Sequence, residues 1–228
     1  MDHVAEFELR AWADDEFIVG HILGSRIIEY THLEECLAIG SFAQDEMAHA
    51  RALYEYTGLH DRALDRYVFF RAAEEFVVTP LATYQPADFP ELVVKQYLYE
   101  VLDRLRLQAI SERSGRQLQE ILLVMRYEEH VHSEHWRRWL QVLATSPARP
   151  RLEQALQVVG RYCGLLPWQP SAQVQSWYGH WRPQAEQELA EQGLTLGAAA
   201  SVDWQQPFAA LIEHMQSVFR ERPEVRLG

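Results

Sequence analysis

The sequence predicts an all-α protein centred on a four-helix bundle with a long crossover. Three observations carry that expectation. Apolar residues recur at the helical period through two pairs of long stretches, and no alternating pattern marks a strand. Each pair contains one Glu-x-x-His, at Glu46 to His49 and at Glu129 to His132. On a helix that spacing puts carboxylate and imidazole on one face. Between the pairs lies a proline-bearing segment of the length that a crossover needs.

In chain order, the first helix begins within the first ten residues, and Asp14 to Tyr30 continues it. Phe17, Ile18, His21, Ile22, Ser25 and Ile28 share neighbouring turns with Glu16. Gly20 and Gly24 allow close approach of a second helix, at a cost in helix propensity. After a break near Thr31 the helical pattern resumes from about Leu33 to Tyr56, and Gly58 is a C-terminal stop. Residues 59–90 form the crossover. Arg62 to Val78 is partly helical, with Tyr67, Phe69, Phe70 and Phe76 expected in core packing, and Pro80, Pro86 and Pro90 are expected to exclude regular helix. The third and fourth helices run from about Leu92 to Arg113 and Gln117 to Leu143, broken at Ser114-Gly115. One domain, 1–228, is expected, with the bundle in 1–143 and accessory helices in 151–228. These are Arg151 to Tyr162, Ser171 to Glu191 and Phe208 to Glu221, with Pro167 and Pro170 before the second and a loop from Gly193 to Pro207 before the third.

Residues at equal depth in an antiparallel pair are equidistant from the turn. Reflecting Glu46 through the break at Thr31 falls on Glu16, and reflecting Glu129 through Ser114-Gly115 falls on Glu100. The candidate set is therefore Glu16, Glu46, His49, Glu100, Glu129 and His132. Bundles that hold two irons or two manganese ions use this inventory: two Glu-x-x-His helices and one Glu from each of two others. Carboxylate and imidazole suit Fe(II), Mn(II) and Zn, and four carboxylates in one core are costly without cations. Asp45 and Glu128, each four residues before a ligand-type His, are placed to accept from its outer nitrogen. Asp103, three after Glu100, is placed to support the same cluster. His130 and His135 are off this face and are expected to be exposed or structural.

The formal charge of −12 argues against nucleic acid and anionic lipid as partners. No apolar run is long enough to span a membrane. Met1-Asp2-His3-Val4 lacks a secretory signal pattern, and two cysteines are too few for a disulfide framework, so a reducing cytoplasm is expected. No flavin, nucleotide or iron–sulfur motif is present, and neither is a Gly-x-Ser-x-Gly elbow.

On these residues the chain resembles the ferritin-like subunits of the bacterial ring-epoxidising phenylacetyl-CoA oxygenase, the phenylacetic acid catabolic protein family. The resemblance runs over nearly the whole chain. Gln44-Asp45-Glu46-x-x-His49-Ala50, Glu16-Phe17-Ile18-Val19-Gly20 and Glu129-x-x-His132 are similar to the catalytic A subunit. Lys95-Gln96-Tyr97 leading to Glu100, Arg126-Tyr127, Leu211 to Arg220 followed by Pro223, and the length are similar to the C subunit. That subunit is typically a structural partner that has lost metal ligands, whereas this chain keeps all six. The resemblance implies a ferritin-like fold, two iron ions with manganese as the alternative, and oxygen insertion into the ring of an aromatic acyl-CoA such as phenylacetyl-CoA. It also implies a separate reductase and association as a homo-oligomer or with a sister ferritin-like subunit. A non-catalytic structural subunit and a ferritin-like oxidase or peroxidase remain open alternatives. Trp168, Trp177, Trp181 and Trp204 fit either an association surface or a buried accessory core.

Overall fold

A computed structural model of the chain describes residues 4–29, 32–166, 168 and 170–222. Thr31, Pro167 and Pro223 lie outside the described residues, as do the first three residues. Four long helices make the bundle, α1 (Glu6–Ser25) and α2 (Leu33–Tyr56) before the crossover and two more after it. The crossover contains α3 (Asp61–Phe69), a 3-10 turn at Ala73–Glu75 and the single-turn α4 (Pro80–Thr83). The second pair is α5 (Phe89–Ser111) and α6 (Arg116–Thr145). Beyond them come α7 (Arg149–Val159), α8 (Ala172–Tyr178), α9 (Trp181–Ala190) and α10 (Gln205–Glu221). No strand occurs among the described residues, and no helix among them is long and apolar enough to cross a membrane.

Side-chain pairings give the helix directions. Glu8 with Arg113 and Asp15 with Arg106 set α1 antiparallel to α5; Asp45 with His132 and Glu35 with His135 set α2 antiparallel to α6. With each hairpin antiparallel, α2 and α5 run the same way, which requires the long connection between them.

Several sequence expectations are corrected in detail. The first helix ends at Ser25 rather than Tyr30. The Ser25 hydroxyl donates to the Ile22 carbonyl and the Arg26 N–H to Leu23, tightening the last turn, and Ile28 beyond it is exposed. Pro80 and Pro90 do not exclude helix. They stand in the first turns of α4 and α5, where the missing N–H has no partner to lose, and the Asp88 carboxylate caps α5 at the Glu91 N–H. The expected Ser171–Glu191 helix is two helices, α8 and α9, broken at Gly179-His180. The break lets Tyr178 donate to the Leu165 carbonyl and Trp181 to that of Leu98, so Trp181 is buried within the chain.

The crossover is fixed to α1 by two adjacent carboxylates. Asp14 accepts from Arg71 (Nη2, 2.6 Å), from the Tyr54 hydroxyl and from the Val77 N–H. Asp15 accepts from the Thr79 N–H (2.7 Å) and from Arg106 Nη2 (2.7 Å). Of the crossover aromatics expected in core packing, Phe76 is buried and Tyr67 lies under the Arg71 guanidinium, but Phe70, just past the end of α3, is exposed. Two apolar clusters fill the bundle. One joins Val19, Leu23, Ile39, Leu98 and Trp136 to α7, α8 and α9; the other joins Leu9, Trp12, Leu53, Ile110 and Met125 to α10. The depth of Glu16, Glu46, Glu100 and Glu129 falls between them, so the polar cluster is closed at both ends by apolar packing.

Candidate metal centre

Helical spacing turns every predicted side chain inward. Glu16, Glu46 and His132 are fully buried, and His49, Glu100 and Glu129 nearly so. The structure brings all six together in two overlapping groups. Ligand atoms of Glu16, Glu46, His49 and Glu129 lie within 4.8 Å of one another, and so do those of Glu46, Glu100, Glu129 and His132. Glu46 and Glu129 belong to both groups. The arrangement is two-fold, with α1 and α2 mirrored by α5 and α6, and its shared members are the two Glu-x-x-His carboxylates.

The imidazoles are oriented by each other's helices. His49 on α2 turns Nε2 to Glu128 on α6 (2.8 Å), and His132 on α6 turns Nε2 to Asp45 on α2 (3.1 Å). Each pairing presents Nδ1 inward. His49 Nδ1 lies 3.3 Å from Glu16 and 3.1 Å from Glu129, and His132 Nδ1 lies 3.7 Å from Glu46. An outer N–H held by a carboxylate fixes the tautomer that leaves the inner nitrogen a lone pair. Phe42 packs on the His132 ring with centroids 4.3 Å apart. Gly20 lets α1 come this close to α2: a Cβ there would stand 3.0 Å from Glu46 Cβ and 3.1 Å from the Ala43 carbonyl.

Electrostatics bear the marks of crowded carboxylates. Burial, then the charges of Glu16 and Glu129, pushes Glu46 well above the carboxylate range; burial and Glu129 do the same to Glu100. Burial also opposes ionisation of Glu16, but Glu46 and His49 favour it and hold that group below the usual range. Burial would lower His49, yet the Glu129 and Glu16 carboxylates raise it to about 11. Among the described residues no amide, hydroxyl or ring donor reaches either oxygen of Glu46 or Glu100, which meet other carboxyl groups of the cluster instead, and Nδ1 of His132 has no hydrogen-bond partner. Buried acceptors without donors are a large cost that divalent cations remove, and the donor set is oxygen and imidazole without thiolate. The buried Glu/His cluster therefore fits metal ions.

Comparison with known proteins adds one finding. Residues 7–226 match the phenylacetic acid catabolic protein family. The chain belongs to that family. A comparison with curated proteins finds no match. Membership places the chain in phenylacetate catabolism.

Asp103 accepts from Trp12 Nε1 (3.2 Å) and faces Arg106 (3.3 Å), so it supports the Glu16 side of the cluster. Four neighbours were missed in the sequence. Trp12 Nε1 and the Tyr99 hydroxyl both donate to Glu16 Oε1, at 2.7 and 3.1 Å. Gln96 and Lys95 are wholly buried, and neither polar end has a hydrogen-bond partner among the described residues. Trp12 and Gln96 were legible as the residues one turn before Glu16 and Glu100; Tyr99 and Lys95 need the fold. Burial, then Arg26, lowers Lys95 to about 7 against the pull of Glu46 and Asp15. His135 pairs with Glu35, whereas exposed His130 lines a cavity. That cavity, of about 870 Å³, opens between α5 and α6 and reaches Glu100 and Glu129. Leu107, Leu123, Tyr127, Arg104, Arg126 and Arg137 also line it.

Proposed function

We propose that this chain is the metal-bearing oxygenase subunit of a multicomponent complex, with two irons held by Glu16, Glu46, His49, Glu100, Glu129 and His132, acting on the ring of an aromatic acyl-CoA. The observation that carries the reading is the six-residue cluster beside a cavity large enough for an organic ring. A scaffold subunit has no need to retain all six ligands, and an iron-storing or peroxide-consuming protein has no need of such a cavity. Iron, when bound and reduced, supplies oxygen activation.

The chain's own groups do the rest. Glu46 and Glu129 stand in both groups and would be available to either ion. Glu16 and Glu100 each serve one side, and Asp45 and Glu128 hold the imidazole protons outward. Leu107 and Leu123 make an apolar wall for the ring, and the arginines suit the anionic part of the substrate. One atom of O2 enters the ring and the other leaves as water, taking two electrons and two protons. The electrons come from a separate reductase, since no flavin or iron–sulfur motif is present in this sequence. A sister ferritin-like subunit or a second copy completes the assembly.

The test is oxygen uptake by the iron-loaded chain with a reductase and phenylacetyl-CoA, with and without any sister subunit from its native host. Substrate-dependent uptake with an oxygenated ring product is expected. Uptake that ignores the acyl-CoA would point to an oxidase, and full iron loading with no uptake would point to a scaffold.

A further inference from the structure

We propose that the two metal positions are unequal: the position served by Glu16 and His49 binds first and more tightly because Trp12 and Tyr99 lock Glu16 in place, while the position served by Glu100 and His132 is the exchangeable one. This rests on the two-metal reading above. The outer partners of the two histidines are alike, so they do not separate the positions. The single-position carboxylates do. Glu16 Oε1 receives the Trp12 indole N–H at 2.7 Å and the Tyr99 hydroxyl at 3.1 Å, which leaves Oε2 turned towards His49. Trp12 and Tyr99 are themselves buried, and the single indole N–H of Trp12 is shared between Glu16 at 2.7 Å and Asp103 at 3.2 Å. Glu16 is thus a ligand whose rotamer is set before metal arrives.

Glu100 has none of this. Among the described residues no amide, hydroxyl or ring donor reaches either of its oxygens. The residue one turn before it, equivalent to Trp12, is Gln96, whose buried amide also lacks a partner. Tyr99, beside Glu100 in sequence, reaches across to α1 instead. Glu100 also lines the cavity between α5 and α6, whereas Glu16 does not. A ligand that must be ordered on binding gives up more conformational freedom than one already fixed. The unsupported carboxylate is also the single-position one that borders the cavity.

The experiment is anaerobic titration of the metal-free full chain with Mn(II), followed by calorimetry and electron paramagnetic resonance. Wild type is expected to bind two ions in distinct steps. The double variant Trp12→Phe and Tyr99→Phe keeps an aromatic ring at each position and removes both donors. It should weaken the tighter step by roughly 10–100-fold and leave the weaker step nearly unmoved, the size usual for groups that orient a ligand. Glu100→Ala should remove the weaker step and keep the tighter. Independently of any variant, crystals of wild type given one equivalent of Mn(II) should show anomalous density beside Glu16 and His49. Two equal steps, density shared between the positions or found beside Glu100, or a double variant with an unchanged tight step would each overturn the inequality while leaving the two-metal reading intact. A wild type that takes up no metal would overturn both.

Discussion

Asp45 and Glu128 do the same work from opposite helices, one methylene apart in length. Each orients the imidazole of the other helix, at 3.1 and 2.8 Å. Glu128→Ala is therefore expected to lower metal affinity about 10–100-fold without abolishing it, whereas Glu46→Ala and Glu129→Ala, which each alter a side chain standing in both groups, are expected to abolish two-metal occupancy. Glu55→Ala and Glu120→Ala, whose side chains pair with Arg51 and Arg116 on the helix surface, should load like wild type. Metal per chain by elemental analysis checks the order. Lys95 gives a second test at this scale. Its folded pKa is lowered to about 7, so between that value and about 10.5 the unfolded chain holds a proton that the folded chain has lost. The cost of burying it is largest at and below pH 7 and fades as pH rises. Lys95→Met should raise the melting temperature of the metal-free chain, with a gain that is larger at pH 7 than at pH 10. A gain independent of pH would mean that the ammonium is not what burial penalises.

Among the elements, the α1–α2 contact sets the depth of the centre. Ala in place of Gly20 gains about 1 kcal/mol of helix propensity but places a methyl against Glu46 and the Ala43 carbonyl, where overpacking costs about 1–3 kcal/mol. Gly20→Ala is expected to be neutral to destabilising and to lower metal affinity. Gly24→Ala, whose nearest neighbour is Ala43 Cβ at 3.9 Å, is expected to be neutral to stabilising by up to about 1 kcal/mol. Thermal melts of the two variants separate the cases, and equal effects would remove the close-approach argument. Leu33–Tyr56 was legible to the residue, and symmetry about two turns found Glu16 and Glu100, because equal depth in a hairpin is a property of local sequence. The Asp14 and Asp15 anchors and the support from Tyr99 were not legible, since their partners lie more than fifty residues away. The α8–α9 break was missed because Tyr178 and Trp181 are drawn inward by tertiary packing, not by a helix-breaking signal.

At the scale of the whole molecule, an inner layer of charge sits between two apolar clusters, and its cost depends on what neutralises it. Glu46 and Glu100 have folded pKa values raised above their unfolded ones. Without metal, their contribution is fully present below the ordinary carboxylate pKa and is lost as pH rises. His49, raised to about 11, loses its contribution in the same direction above pH 6.5. Metal at roughly 100 times its dissociation constant adds about 2.7 kcal/mol per independent site, and for a chain of this size each kcal/mol moves the melting temperature by about 2–4 °C. A chelator should therefore lower the melting temperature by roughly 10–20 °C at pH 8 and by less at pH 5. A melting curve unmoved after verified metal removal would separate stability from the cluster.

The central claim, that six residues from four helices hold two metal ions, is tested most directly by an anomalous difference map at the iron edge, from crystals reconstituted with Fe(II) in excess. The account predicts two peaks, one beside Glu16 and His49 and the other beside Glu100 and His132, with Glu46 and Glu129 between them. A single peak, or density away from these side chains, would contradict it.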